Sequence, residues 1–407
     1  MAPNALQKAL RLVFVAPFEL SASLALAIVH GLVPRSRPDE TWTLRQAFTI
    51  AMFRGLIRQI SALQRPAGLN LRPGSEGDRF VVMSPVSQEL YRGPMEDPLI
   101  TPGQVGATWT PKPLKSPTSL NQKWGSDLLV VMHLHGGAYV VGDGRDNDTG
   151  FTAKTLLSHM GCSHVFTPQY RLSSNPRGRF PAALQDALSS YVYLLHHLQI
   201  PPSQIVLSGD SAGANLALGL LRYISEFGTE LDLPWPGAVT LWSPWSDVSI
   251  ALDPAKITQS PNYRSDYLDP SFPCWGAYAL IGDGQVGMTD PYISPPYKPF
   301  KIEAPVWVHT GGREVLFHDN LRLVDEFRRA GTSIEWVIAE HCPHDIILVG
   351  KSMGFEEEAA EGSRKAGEFV RLNQRNRASL AGFREGPFLE QSSTTGRPAV
   401  MLELHAL

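Results

Sequence analysis

The stretch that most constrains the fold is residues 204–221, QIVLSGDSAGANLALGLL. Its short apolar run at residues 205–207 predicts a buried strand, and the leucines that follow the turn recur at helical spacing. Between them lies a Gly-x-Ser-x-Gly turn from Gly209 to Gly213. A sharp turn between a strand and a helix holds such a serine in a strained conformation with its hydroxyl clear of the backbone. The stretch therefore predicts a nucleophilic Ser211.

Apolar runs alternate with helical patterns through the rest of the chain. This alternation predicts βαβ units and a mostly parallel central sheet with helices on both faces, an α/β fold. The runs lie at residues 128–134, 165–168, 205–207, 238–242, 305–309 and 334–338. Two earlier runs, residues 80–83 and 108–110, predict edge strands of an antiparallel beginning.

A serine that accepts an acyl group needs donors for the oxyanion, and in a parallel sheet these lie at the carboxyl ends of strands. His135, Gly136, Gly137 and Ala138 follow the run at residues 128–134. The small residues of this predicted oxyanion loop allow the N–H groups of Gly137 and Ala138 to point into one space, with the N–H of Ala212 as a third donor. His135 is expected to shape the loop by bonding to the backbone.

The serine also needs a base and an acid that orients the base. Glu314 follows the run at residues 305–309, and Asp319 lies nearer the next helical pattern, where it would serve as an N-cap. Loop position favours Glu314, with Asp319 as the alternative. His341 and His344 follow the run at residues 334–338. A serine, then an acid, then a histidine is the chain order of a nucleophile-elbow hydrolase.

These motifs together resemble the hormone-sensitive-lipase group of α/β-hydrolases, the serine esterases and lipases related to bacterial and fungal carboxylesterases. The resemblance covers about residues 128–349 and includes an unaltered Gly-Asp-Ser-Ala-Gly elbow. It implies the α/β-hydrolase fold, with Ser211 as nucleophile and His344, not His341, as base. Glu314 matches the position of the family's aspartate. Further similar stretches lie at residues 170–172, 180–186, 243–247 and 290–295.

The resemblance implies a serine ester hydrolase that forms an acyl-enzyme on Ser211 and needs no metal or organic cofactor. The expected substrate is a short-chain ester of an apolar small molecule, because Ala138 replaces the loop's third glycine and its methyl group would lie near the acyl group. Two alternatives stay open: an acyltransferase or lactone-opening enzyme with the same triad, and a hydrolase-fold protein that only binds a ligand. The formal charge of −3 argues against a nucleic-acid partner.

The N-terminal part is expected to form apolar cap helices over residues 1–65, before a catalytic domain at residues 66–372 and a poorly ordered tail at residues 373–407. Residues 12–33 are mostly apolar but contain Pro17 and Glu19. They are interpreted as a soluble cap or membrane-surface helix, as a transmembrane anchor, or as a cleaved signal. Compartment, cytoplasmic or membrane-associated, and oligomeric state stay open.

A second N-terminal segment, residues 41–63, predicts an amphipathic helix that packs on a partner surface. By the family resemblance this helix belongs to a cap over the site. Its predicted apolar stripe consists of Leu44, Ala47, Phe48, Ala51, Met52, Leu56, Ile60 and Leu63.

Overall fold

The computed structural model describes residues 5–115, 124–284 and 286–384. Its eight strands form one sheet in the order β1-β2-β4-β3-β5-β6-β7-β8. β1 and β2 are antiparallel to their neighbours, whereas β3 to β8 are mutually parallel. The strands are β1 Phe80–Met83, β2 Val105–Thr110, β3 Val130–Leu134, β4 His164–Gln169, β5 Ile205–Asp210, β6 Ala238–Trp242, β7 Val306–Gly311 and β8 Ile334–Ala339. The predicted α/β class and the antiparallel beginning are confirmed.

Both faces of the sheet are apolar, which explains why its strands read as continuous hydrophobic runs. In β3, Val130 and Met132 belong to the larger core, while Val131 points into a second core on the other face. β5 alternates in the same way. Helices cover both cores, and the carboxyl ends of the parallel strands meet along one edge, where the predicted site residues lie.

Eleven α-helices lie within the described residues. Two of them, α4 and α11, supply side chains to the smaller core, and α5 and α6 supply side chains to the larger one. The helices are α1 Ala5–Leu10, α2 Ala16–Leu32, α3 Leu44–Leu63, α4 Asp146–His159, α5 Ala182–Val192, α6 Ala212–Leu231, α7 Pro254–Thr258, α8 Ser271–Ile281, α9 Phe317–Arg329, α10 Ile346–Met353 and α11 Glu356–Arg384.

The N-terminal helix, Leu6–Leu32, is formed by α1, a wider π-helical turn at Arg11–Val15, and α2. It is long and apolar enough to cross a membrane by length and composition. It packs against α3, which is capped at its start by Thr43. The Thr43 side chain accepts a hydrogen bond from the Gln46 N–H, and the Gln46 side chain accepts one from the Thr43 N–H.

The predicted stripe of α3 is only partly correct. Leu44 and Leu56 are exposed, whereas Ile50 and Ile57 are buried together with polar side chains such as Gln59. The reason is that α3 lies between two neighbours, the N-terminal helix on one side and α8 and α10 on the other. A helix covered from two sides buries more than one stripe, and its second buried face includes polar groups that find partners.

The predicted poorly ordered tail starts within α11. This helix continues to Arg384, so residues 373–384 are helical. Residues 385–407 of the predicted tail lie outside the described residues.

Candidate active site

Ser211 lies at the sharp turn between β5 and α6. Its backbone has φ 49° and ψ −114°, a conformation that few residues other than glycine adopt, and the turn is held by a 2.9 Å hydrogen bond from its N–H to the Trp242 carbonyl. A Cβ atom at Gly213 would overlap the backbone carbonyl groups of Leu134 and His135 on the adjacent loop. The glycine therefore permits α6 to start directly against the end of β3.

His344 lies between Ser211 and Glu314. Its Nε2 is 2.9 Å from the Ser211 Oγ, and its Nδ1 is 3.3 Å from the Glu314 Oε2. The side chains of His344 and Glu314 are almost fully buried, in the loops that follow β8 and β7. The structure thus brings together the three residues that the sequence predicted as nucleophile, base and acid.

Two side chains that sequence analysis did not assign hold Glu314 in place. Asn320 donates a 2.5 Å hydrogen bond from its Nδ2 to the Glu314 Oε1, and the Ser243 hydroxyl also bonds to this carboxylate. Asn320 lies in the first turn of α9, one residue after Asp319. The role of Asn320 could not be predicted, because a buried amide cannot be distinguished in the sequence from a solvated one.

Asp319, the alternative acid, lies in the first turn of α9 but is not its N-cap, which is Leu316. Within the described residues, its carboxyl forms no hydrogen bond with His344. Burial and then the charge of Asp247 raise its pKa to about 7. Of the two candidate acids, the geometry brings Glu314 to the histidine.

The pKa of His344 sets an expected pH dependence. Burial lowers this pKa, but the hydrogen bond and charge of Glu314 raise it more, so it lies above the ordinary value of a histidine. A histidine that acts as a base must be neutral, so kcat/KM for a soluble ester should fall as the pH drops through this raised pKa. We expect the acid limb above about pH 6.5. A limb well below that pH, measured with a substrate that does not titrate, would contradict the assignment.

The predicted oxyanion loop turns sharply after β3. Gly137, Ala138 and Tyr139 have φ values of 103°, 52° and 62°, an unusual succession that turns the backbone. His135 Nδ1 lies 2.7 Å from the Gly136 carbonyl, and its ring stacks on Tyr170. This is the backbone contact expected of His135.

Ala212 is the first residue of α6, so its N–H lies at the helix end where backbone donors have no partner within the helix. Gly136 and Gly137 line the same cavity as Ser211. The Ala138 methyl group, in contrast, faces Gly276 of α8. It contributes to packing against α8, and the expectation that it limits the acyl group is therefore not supported.

A pair of buried carboxyl groups, Asp210 and Asp345, joins the two sides of the site. Burial, then the charge and hydrogen bond of Asp210, raise the pKa of Asp345 well above its usual range. His133 Nε2 lies 2.8 Å from the Asp210 Oδ1. The Asp345 N–H donates a 3.0 Å bond to the Ser243 Oγ. The strand before the elbow is thereby tied to the loop that carries His344.

Ser211 and His344 open into a cavity of about 330 Å³. Its walls are mainly apolar, and part of them comes from α3. The apolar lining residues are Phe53, Ile57, Ile60, Val141, Tyr267, Leu268, Phe272, Leu348 and Val349. In the part of the chain that the structure describes, no group of three or more His, Cys, Asp or Glu side chains is arranged to hold a metal ion.

The N-terminal part also contacts the two loops that carry Glu314 and His344. Asp39 lies 2.6 Å from the Arg313 Nε and 2.9 Å from the His341 Nδ1. The Trp42 Nε1 donates a 2.6 Å hydrogen bond to the His341 carbonyl. His341 is thus a half-exposed partner of Asp39 and lies apart from Ser211.

Comparison with known proteins agrees with this architecture. The model of a family described as having the alpha/beta hydrolase fold matches residues 131–348, more than half of the chain. An acetyl-hydrolase of Streptomyces hygroscopicus is 30% identical over 54% of this chain and 69% of its own length. An esterase of Mycobacterium tuberculosis named LipU is 30% identical over 60% of this chain and 77% of its own length.

Solved structures give the same fold. An esterase of the bacterial hormone-sensitive lipase family superposes with a TM-score of 0.55 at 22% identity, over 88% of this chain and 98% of its own. A hormone-sensitive lipase from a metagenome library gives 0.54 at 22% identity, over 66% and 82% of the two chains. The chain belongs to the α/β-hydrolase family whose model it matches and is a carboxylester hydrolase.

Proposed function

We propose that the protein hydrolyses carboxylic esters through an acyl-enzyme on Ser211. The Ser211 Oγ attacks the ester carbonyl while His344 Nε2 accepts its proton, and the protonated histidine then gives that proton to the leaving alcohol. Glu314 holds the Nδ1–H of His344 and stabilises the imidazolium. The N–H groups of Gly137, Ala138 and Ala212 bind the oxyanion. Water then attacks the acyl carbonyl while His344 accepts its proton, and the histidine returns that proton to the Ser211 Oγ as the acyl–Oγ bond breaks and the carboxylic acid leaves.

One observation carries this proposal, the unbroken contact from the Ser211 hydroxyl through His344 to the Glu314 carboxylate. A serine hydroxyl is a weak nucleophile at neutral pH unless a base lies within hydrogen-bond distance, and the base is effective only when its other nitrogen is oriented. The strained conformation of Ser211 supports the same role, because strain of this kind persists where the surroundings enforce it.

The proposed substrate is a short-chain ester of an apolar small molecule. A cavity of about 330 Å³ with mainly apolar walls accommodates such an ester, and among the described residues no lysine or arginine lines it. The acetyl-hydrolase among the relatives is consistent with a small acyl group. We expect turnover of p-nitrophenyl acetate or butyrate to exceed that of long-chain esters.

Labelling with a fluorophosphonate tests the nucleophile directly. Intact-mass analysis should show a single adduct, which peptide mapping should locate on Ser211. The matched control is Ser211→Ala, which should form no adduct while its circular dichroism is unchanged. Folded wild-type protein that takes no adduct would contradict the esterase mechanism and favour a ligand-binding role.

Product analysis in the presence of alcohol acceptors separates hydrolysis from acyl transfer, because both reactions share the acyl-enzyme. Free acid as the dominant product supports the proposal. Transfer to the alcohol that outcompetes water at millimolar acceptor would replace hydrolysis by acyl transfer as the activity.

A further inference from the structure

The N-terminal helix presents an apolar surface that no other part of the described chain covers. The helix has 27 residues, and its most apolar window of 18 residues has a mean hydropathy of 2.1 and is only 11% buried. Phe14 and Phe18 are 71% and 75% exposed, and Val13, Val29 and Leu32 are exposed beside or beyond them. Continuous apolar surface of this length is uncommon on soluble monomers and marks an interaction surface.

The inner side of this helix is fitted closely to α3. The Ser23 side chain lies where a Cβ atom at Gly55 would overlap it, so the two helices approach closely. The Gln59 Nε2 donates a 2.6 Å hydrogen bond to the Glu19 carboxylate, and Arg11 pairs with the same carboxylate at 2.6 Å. The only acidic group of the helix is therefore neutralised at the side of α3.

The packing of α3 on the catalytic domain then fixes how the N-terminal helix lies. The Arg54 Nε donates a 2.9 Å hydrogen bond to the Asp266 carbonyl, and the Arg58 Nε donates a 2.9 Å bond to the Asp269 carboxylate. If the N-terminal helix crossed a bilayer in this arrangement, α3 and its arginines would enter the hydrocarbon as well, at high cost. This packing therefore fits a helix that lies along a membrane surface better than one that crosses the bilayer.

We propose that the outward face of the N-terminal helix inserts into one leaflet of a lipid bilayer. With Arg11 paired to Glu19 on the side of α3, Lys8 precedes the apolar face and Arg35 and Arg37 follow it, and this excess positive charge suits anionic lipid headgroups. A protein partner would be expected to meet a polar rim around the apolar patch, whereas this face is apolar along most of its length.

The position of the N-terminal helix also indicates where the substrate comes from, and this step rests on the proposed esterase function. Phe53, Ile57 and Ile60 of α3 line the cavity that Ser211 opens into, so α3 contacts both the N-terminal helix and the active site. An ester dissolved in the lipid phase would be concentrated beside the cavity. We infer that the enzyme takes its apolar ester from the membrane.

Vesicle flotation tests whether the outward face of the N-terminal helix binds lipid bilayers. Full-length protein should float with vesicles of phosphatidylcholine and phosphatidylserine, and combining Phe14→Ser with Phe18→Ser should lower the floated fraction by about tenfold, because two inserted rings are lost. The matched control combines Leu99→Ser with Leu372→Ser, which are 64% and 57% exposed elsewhere, and should float like wild type. The proposal is overturned if the wild-type protein does not float with the vesicles, or if the Phe14/Phe18 variant floats as well as wild type. It is also overturned if the wild-type protein is a dimer in solution that these two substitutions dissociate.

Labelling of single cysteines distinguishes a surface helix from a span. In protein with Cys274→Ser, which leaves only buried cysteines, a membrane-impermeant maleimide should react with Leu6→Cys and with Arg35→Cys from the same side of sealed vesicles. Reaction from opposite sides shows a span and overturns the surface orientation.

Activity measurements test delivery of the ester from the membrane independently of the esterase mechanism. The Phe14/Phe18 variant should turn over soluble p-nitrophenyl acetate like wild type but lose activity, by about tenfold, on an ester embedded in vesicles. Ser211→Ala should float normally although it is inactive. Normal activity of the Phe14/Phe18 variant on the embedded ester would overturn delivery from the membrane, whatever the result at Ser211.

Discussion

Glu314→Gln is expected to lower kcat for a soluble ester by about 10³- to 10⁴-fold while the protein stays folded. The amide retains the shape and the contact with Asn320 but removes the charge that stabilises the imidazolium of His344. It also permits the wrong tautomer of the histidine, with Nδ1 unprotonated and facing an amide N–H. KM should change little, because Glu314 is not among the residues that line the cavity beside Ser211.

Asp319→Asn is the matched control, since it makes the same chemical change five positions along the chain. Asp319 is largely buried with a pKa of about 7 and does not bond to His344, so the variant should keep kcat within about tenfold of wild type. The kcat values of both purified variants, measured in stopped assays, and their melting temperatures distinguish the two candidate acids. A larger loss of kcat in Asp319→Asn than in Glu314→Gln, at equal thermal stability, would reverse the assignment of the acid.

Gly213→Ala is expected to destabilise the protein by about 3 kcal/mol or more and to remove activity. The added methyl would meet the backbone carbonyl groups of Leu134 and His135, which cannot move aside as a flexible side chain can. Relief requires that α6 and the end of β3 separate. That movement would displace Ser211 from the oxyanion loop, so catalysis should suffer even in the fraction that folds.

The control for this prediction is Gly125→Ala, where a new Cβ atom meets nothing within 4 Å. Its melting temperature and kcat should equal those of wild type. Chemical denaturation of the two variants measures the difference in the free energy of unfolding. Equal stability of Gly213→Ala and Gly125→Ala would show that the elbow tolerates a side chain and that the close contact with β3 is not required.

The sequence predicts the parallel sheet well because its strands are buried on both faces. Such strands are continuous apolar runs, and the predicted run at residues 238–242 coincides with β6. Periodicity was less informative for α3, whose buried face depends on two neighbours. It also failed for α11, whose polar, glycine-containing C-terminal part continues as a helix beyond residue 373.

The principal candidate residues were predictable because their spacing and order place them at the carboxyl ends of the parallel strands β3, β5, β7 and β8. Their supports were not, since these depend on contacts between distant parts of the chain. Asn320 and Ser243 both reach Glu314, and Asp345 interacts with Asp210 across 135 positions of sequence. Each of these is an ordinary polar residue in the sequence, and only tertiary proximity makes it a partner.

The hydrogen bonds of Asp39 and Trp42 determine whether the N-terminal segment can be removed without disturbing the active site. Asp39 is bonded to Arg313, the residue before Glu314, and to His341, three residues before His344. Trp42 is bonded to the His341 carbonyl, so residues that precede α3 brace both loops. A truncated chain that starts at residue 66 would lose these braces together with one wall of the cavity. The N-terminal segment is therefore not a detachable lid, because it forms one wall of the cavity and holds the loops that carry Glu314 and His344.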